Sequence, residues 1–198
     1  MSVISNARRA VTAAAGFAAL GLSACGSVPN PLAAPEPNPG PCPNAFSLYD
    51  AHRLVEFPGG EDVVFANVGF TGEILDVTSF CTYTDQRPTP IDMDVAVRFA
   101  FGRGPAAEGR THTYRYFIAV TRLDRAVIDK FEYEIPVRFE AGEDRVEVTE
   151  EITGLMIPRV SEGTSGANFE VIVGFVLNDE QIDFNRQGLR FRIDAGQD

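Results

Sequence analysis

The sequence predicts an all-β protein, an antiparallel β-sandwich with one short helix near its C-terminus. Three observations carry this. From about residue 44 onward, apolar residues recur at every second position rather than every 3.6. Clusters of Gly, Pro and Asp break these runs where hairpin turns would fall. A composition of 44% apolar and 23% charged residues over 198 positions suits a chain that buries a core.

In chain order, residues 46–57 give a weak edge strand around Leu54, Val55 and Phe57. Val63 to Tyr83 is rich in β-branched and aromatic residues, and Gly69 and Gly72 interrupt it, which predicts a bulge or bend and two strands. The clearest strand is Ile91 to Phe101, whose odd positions are all apolar while its even positions are acidic, basic or Ala. Tyr114, Tyr116, Ile118 and Val120 repeat the pattern after a loop marked by Gly102, Gly104, Pro105 and Gly109. Phe131, Tyr133, Ile135, Val137 and Phe139 do so again, opposed by Lys130, Glu132 and Glu134. A turn at 140–144 leads to Val146 and Val148. Phe169, Val171, Val173, Phe175 and Leu177 form a later strand, with Ile172 and Val176 offering a second apolar face.

Asn178 before Asp179-Glu180-Gln181 has capping-box spacing, with acids at the positive end of the helix dipole. A helix over 179–187 follows, packing Ile182 and Phe184 on the sandwich edge and ending at Gly188, with Leu189 to Ile193 as a last strand. Seven or eight such strands read as a sandwich of immunoglobulin or fibronectin-III type. The lack of Trp and the Cys spacing set it apart from antibody domains. The alternative is a meander or open barrel.

The first 24 residues read as an export leader. Arg8 and Arg9 precede an uncharged, Ala-rich stretch from Ala10 to Leu22, too short for the roughly 20 residues of a membrane-spanning helix. It ends in Leu22-Ser23-Ala24-Cys25-Gly26, which resembles the lipobox of Gram-negative bacterial lipoproteins. That resemblance covers residues 1–26. It implies cleavage before Cys25, lipidation of Cys25, and, with Gly26 and not Asp next, sorting to the outer membrane. The alternative is an ordinary secretory signal cut near an Ala-x-Ala site. Several acyl chains on one residue anchor durably where a single chain binds marginally.

Residues 25–43 form the lipidated Cys and a tether carrying Pro29, Pro31, Pro35, Pro37, Pro39, Pro41 and Pro43. Alternate prolines forbid helix and favour an extended spacer, on the order of 45 Å for fifteen residues. The folded domain spans 44–198. With Cys25 acylated, Cys42 and Cys81 remain as the one possible disulfide of an exported domain.

Chemistry-bearing patterns are sparse. A formal charge of −11, which becomes more negative once Arg8 and Arg9 leave with the leader, excludes a nucleic-acid partner. His52 and His112 lie far apart in sequence, and His112 between Thr111 and Thr113 reads as a solvent-facing strand residue. Gly163-Thr164-Ser165-Gly166 lacks nucleophile-elbow spacing, and the loop Gly104 to Arg110 has Arg where a phosphate loop needs Lys. Asp92 with Asp94, Glu61-Asp62, Glu143-Asp144 and Glu150-Glu151 read as solvated acidic faces, with weak calcium binding as the alternative. Tyr49 and Tyr83 are the tyrosines free to face a ligand.

No catalytic residue, cofactor or metal is expected. The anticipated role is a non-enzymatic interaction module, lipid-anchored in the outer membrane through Cys25, facing the periplasm and docking an envelope protein partner in assembly or maintenance. The alternative is a small-ligand or glycan-binding lipoprotein.

Overall fold

The computed structural model describes residues 40–59, 63–83, 90–124, 126–161 and 163–191. The leader, Cys25, the tether up to residue 39, Glu61-Asp62 and residues 192–198 lie outside the described residues. Those described form β1 (Asn44–Ser47), β2 (Arg53–Val55), β3 (Phe70–Tyr83), β4 (Ile91–Arg103), β5 (Thr111–Arg122), β6 (Val127–Arg138), β7 (Arg145–Ile157), β8 (Phe169–Phe175) and α1 (Asp179–Arg186). One sheet runs β1-β8-β5-β6 and the other β2-β3-β4-β7. Their inner faces share one core, so the fold is an all-β sandwich with a single helix among the described residues. Pairing is not wholly antiparallel as expected, because β1 runs parallel to β8.

Alternation works as read on the long strands. On β4 the odd residues Ile91 to Phe101 are all buried, and on β5 so are Tyr114, Tyr116, Ile118 and Val120. Aromatic rings meet across the two sheets, with Phe101 stacked on Tyr114 at 4.1 Å and Phe99 edge-on to Tyr116 at 5.0 Å. Each large side chain so buried contributes about 1.5–3 kcal/mol of transfer free energy.

Four expectations need correction. The single edge strand over 46–57 is two strands on different sheets, joined by a 3-10 turn at Tyr49–Ala51. The crossing depends on Gly174, where a Cβ would come within 2.8 Å of the Phe117 ring and 2.9 Å of Ala51 Cβ. Val63 to Gly69 is no strand; it holds a 3-10 turn at Phe65–Asn67. The bulge in β3 falls between Ile74 and Asp76, not at the glycines. Gly72 instead makes room for the Phe175 ring, which a Cβ would meet at 2.8 Å.

The third correction concerns β7, which runs on past Val148 to Ile157 through a register shift where Gly154 adopts φ +72°. Asp94 Oδ1 accepts the Gly154 amide at 3.0 Å and holds that irregularity in place. The last is that 189–191 is irregular chain, while 192 and 193 of that expected strand lie outside the described residues.

The sandwich has two distinct ends. At one, the chain enters β1, and the Cys42–Cys81 disulfide (Cα–Cα 5.7 Å) fastens it to the end of β3. The loop before β8 closes over the same end, through the Gly166 amide and the Tyr83 hydroxyl. At the other end lie β2, the start of β3 at Phe70, the start of β5 at His112, Phe139 and α1. The 13 residues of β4 put about 40 Å between the ends.

Candidate functional site

The end away from the disulfide is built around α1. Its capping box is complete: Asn178 Oδ1 accepts the Gln181 amide at 2.8 Å, and Gln181 Oε1 accepts the Asn178 amide at 3.0 Å. Gly188 stops the helix at φ +72°, a left-handed conformation that favours glycine. Asn185, buried, donates through Nδ2 to the carbonyls of Asp50 and Arg53, both at 2.8 Å. Gln181 Nε2 donates to the Val55 carbonyl at 3.3 Å, and Arg186 pairs with Asp50 at 3.0 Å. These bonds fix the helix to β2 and the turn before it.

Beneath α1 lies a second apolar cluster, separate from the main core. Val55, Val68 and Phe184 are buried there, with Phe57 and Phe191 packed against them. Ring centroids lie 5.7 Å apart for Phe57 and Phe184, 5.9 Å for Phe57 and Phe191, and 6.4 Å for Phe65 and Phe191. Of the two residues expected to pack on the sandwich edge, Phe184 is buried and Ile182 half-buried.

Between α1 and the chain at 55–58 opens a groove of about 510 Å³. Phe57, Pro58, Val63, Phe184 and Leu189 give it apolar walls, and Glu56 and Glu180 place carboxylates along it. Val63, Phe65 and Leu189 stand 53%, 46% and 41% exposed, so among the described residues this end presents uncovered apolar surface. Sequence reasoning missed Phe57, Val63 and Leu189 as one surface. Their signal was weak: each stands at the end of a separate expected strand segment, Phe57 beside Pro58 and Leu189 beside Gly188.

His112 is not solvent-facing as expected. It lies on the inner parity of β5, stacked on Phe70 at 4.4 Å, with Nε2 3.2 Å from Glu56 Oε1. Glu56 is half-buried and also lines the groove. Tyr114 lies edge-on to His112 at 4.5 Å, and its buried hydroxyl has no hydrogen-bond partner among the described residues. Burial raises the Tyr114 pKa far above the ordinary phenol value, and the Glu56 charge adds to the rise. His52 is occupied elsewhere, its Nδ1 bonded to the Tyr49 carbonyl. The structure does not pair the two histidines with each other.

Four of the remaining candidates have structural partners. Ser165 accepts the Ala167 amide at 3.2 Å within a 3-10 turn, and Arg110 donates to the Phe139 carbonyl at 2.8 Å. Asp94 holds the β7 irregularity, and Asp144 pairs with Arg103 at 3.4 Å. Among the described residues, no three side chains of His, Cys, Asp or Glu converge to hold a cation. Tyr49 is exposed, as expected. Tyr83 is not free, since its hydroxyl joins Pro41 to Gly166 and Arg159 lies over its ring at 4.7 Å. Comparison with known protein families, with curated proteins and with solved structures finds no match to this chain.

Proposed function

We propose that the chain is a lipid-anchored, non-enzymatic interaction module of the cell envelope, held in the outer membrane through Cys25 with its domain in the periplasm. Its partner is an envelope protein that docks in the groove beside α1, in assembly or maintenance. The observation that carries this reading is the position of the groove. It opens at the end of the sandwich opposite the disulfide-fastened point where the tether joins, about 40 Å away by strand length. A groove at the end of the domain far from its own entry strand suits a protein partner better than a lipid. Apolar walls beside Glu56 and Glu180 favour a segment with apolar side chains next to a basic one.

The strand order supports the finer reading of an immunoglobulin-type sandwich. Such domains place their first, second and fifth strands in one sheet and their third and sixth in the other. β3, β4 and β7 against β5 and β8 repeat that division, and β1 takes the place beside β8 where the last strand of such a domain pairs.

The test is in-cell photo-crosslinking of the full-length protein, with the reactive residue at Leu189 or, as control, at exposed Thr149 on β7, which does not line the groove. One dominant protein adduct from 189, absent from 149 and lost in Cys25→Ala, is the expected result. A second reading, a small apolar ligand, is favoured by the volume alone, since about 510 Å³ lies within the ordinary range for small-molecule sites. An adduct of a few hundred daltons in place of a protein would select it.

A further inference from the structure

We propose that the groove takes the partner's segment as an extended strand, which adds to the open backbone edge at Phe57. This deepens the docking reading and rests on it. Bonds from β2 and its flanks to the neighbouring chain use the even-numbered residues. The His52 carbonyl accepts the Ile74 amide at 2.8 Å, and the Glu56 amide donates to the Phe70 carbonyl at 2.9 Å. The Glu56 carbonyl in turn accepts the Gly69 amide at 2.8 Å. In extended chain both backbone groups of one residue point to the same edge, and those of the next residue to the other. Arg53, Val55 and Phe57 therefore turn theirs away from β3, toward α1.

On that side α1 covers the edge only part of the way. Its Asn185 and Gln181 side chains donate to the Arg53 and Val55 carbonyls. Two residues further on, the N–H and C=O of Phe57 have no hydrogen-bond partner among the described residues. The groove opens at this point. Val55, Glu56, Phe57 and Pro58 all line it, although successive side chains of extended chain point to opposite faces. Four consecutive residues along one wall mean that the backbone edge itself faces the groove.

This edge is preformed. A residue before proline is pushed to extended conformations, which holds Phe57 in line beyond β2. Gly69 leaves room for the Pro58 ring, which a Cβ would meet at 2.8 Å. Pro58 has no N–H to donate and ends the edge. One residue of an incoming strand can exchange two bonds with Phe57 while alternate side chains reach the apolar walls. A helical segment has its own backbone groups paired, and would bury those of Phe57 unsatisfied. Glu56 and Glu180 line the same groove, and Glu180 has no ion pair among the described residues. A strand that alternates apolar with basic or polar residues matches both the walls and the charge.

The probe is a set of seven-residue peptide libraries with Leu, Ile, Val or Phe at odd positions and Lys, Ser or Thr at even ones. One library is unmodified, a second is N-methylated at the odd residues, and a third at the even residues. Each methylation removes the donors along one edge of an extended peptide and spares the other edge. Full-length protein with the photo-reactive residue at 189 is expected to label the unmodified library and just one of the methylated ones. The other should be labelled about tenfold or more weakly, because the Phe57 carbonyl then stays unpaired. In complex with the unmodified peptides, the Phe57 amide should also gain protection from hydrogen exchange. Equal labelling of the two methylated libraries, or a Phe57 amide that gains no protection, overturns the strand assignment and leaves docking standing. Labelling of no library, with the in-cell adduct intact, also overturns this proposal alone. Loss of the in-cell adduct as well removes the docking reading.

Discussion

The Tyr83 hydroxyl donates to the Pro41 carbonyl at 2.7 Å, and the same oxygen accepts the Gly166 amide at 2.8 Å. One side chain at the end of β3 thus joins the segment before β1 to the loop before β8. Gly166 fits there because a Cβ would lie 2.3 Å from the Pro41 carbonyl oxygen. Tyr83→Phe leaves the Gly166 amide without its acceptor, at a cost of about 1–3 kcal/mol. Urea unfolding of the full chain should show a lower midpoint with an unchanged slope. An unchanged midpoint would mean that water replaces the hydroxyl at no cost.

The disulfide closes a loop across a sequence separation of 39 at that same end. Chain-entropy reasoning gives about 4 kcal/mol for a loop of that size. Reduction, or Cys42→Ser with Cys81→Ser, should therefore lower the melting temperature well beyond the effect of Tyr83→Phe. Because both devices fasten the same segment, their effects should be less than additive. Additive losses would show that the two act on separate parts of the fold.

What the sequence made legible follows from which faces are buried. β4, β5 and β8 each bury one face, so strict alternation marks them, and α1 carries its start and stop in Asn178, Gln181 and Gly188. The second half of β7 was not legible. It lies at a sheet edge, its Glu150 and Glu151 face solvent in part, and its register shifts at Gly154. Four residues of β1 cannot announce that they pair parallel. His112 was misread because two threonines flank it, whereas parity with Tyr114 places it inward. The groove escaped because it joins residues 55–58 and Val63 to 178–189, and no local period links segments that distant.

Asn185 is the buried polar contact that holds α1 against β2. Asn185→Ala removes two hydrogen bonds at once and strands the Asp50 and Arg53 carbonyls, at a cost of about 2–3 kcal/mol. Since α1 is one wall of the groove, the variant should also lose the adduct from position 189. Asn178→Ala, which removes the cap alone, should cost only about 1 kcal/mol and retain it. Loss of the adduct in both would point to general loosening of the domain rather than to the wall itself.

Tyr114 sets a limit at high pH. Burial, reinforced by the Glu56 charge, raises its folded-state pKa above the unfolded value of about 10, and burial raises that of Tyr116 as well, reinforced by Glu150. A raised folded pKa means that the unfolded chain gives up the proton first. The contribution is present in full below about pH 10 and falls away as pH climbs above that value. Thermal melts should therefore be flat across the neutral range with respect to these groups and decline steeply in alkali. Tyr114→Phe separates the two effects, because the buried hydroxyl it removes has no hydrogen-bond partner among the described residues. At pH 7 the variant should match or exceed the parent by about 1 kcal/mol, since an unsatisfied buried group is lost. In alkali its advantage should widen, with Tyr116 remaining to set the decline. A variant clearly less stable than the parent at pH 7 would show that the hydroxyl is bonded in solution, to water or to a neighbouring group.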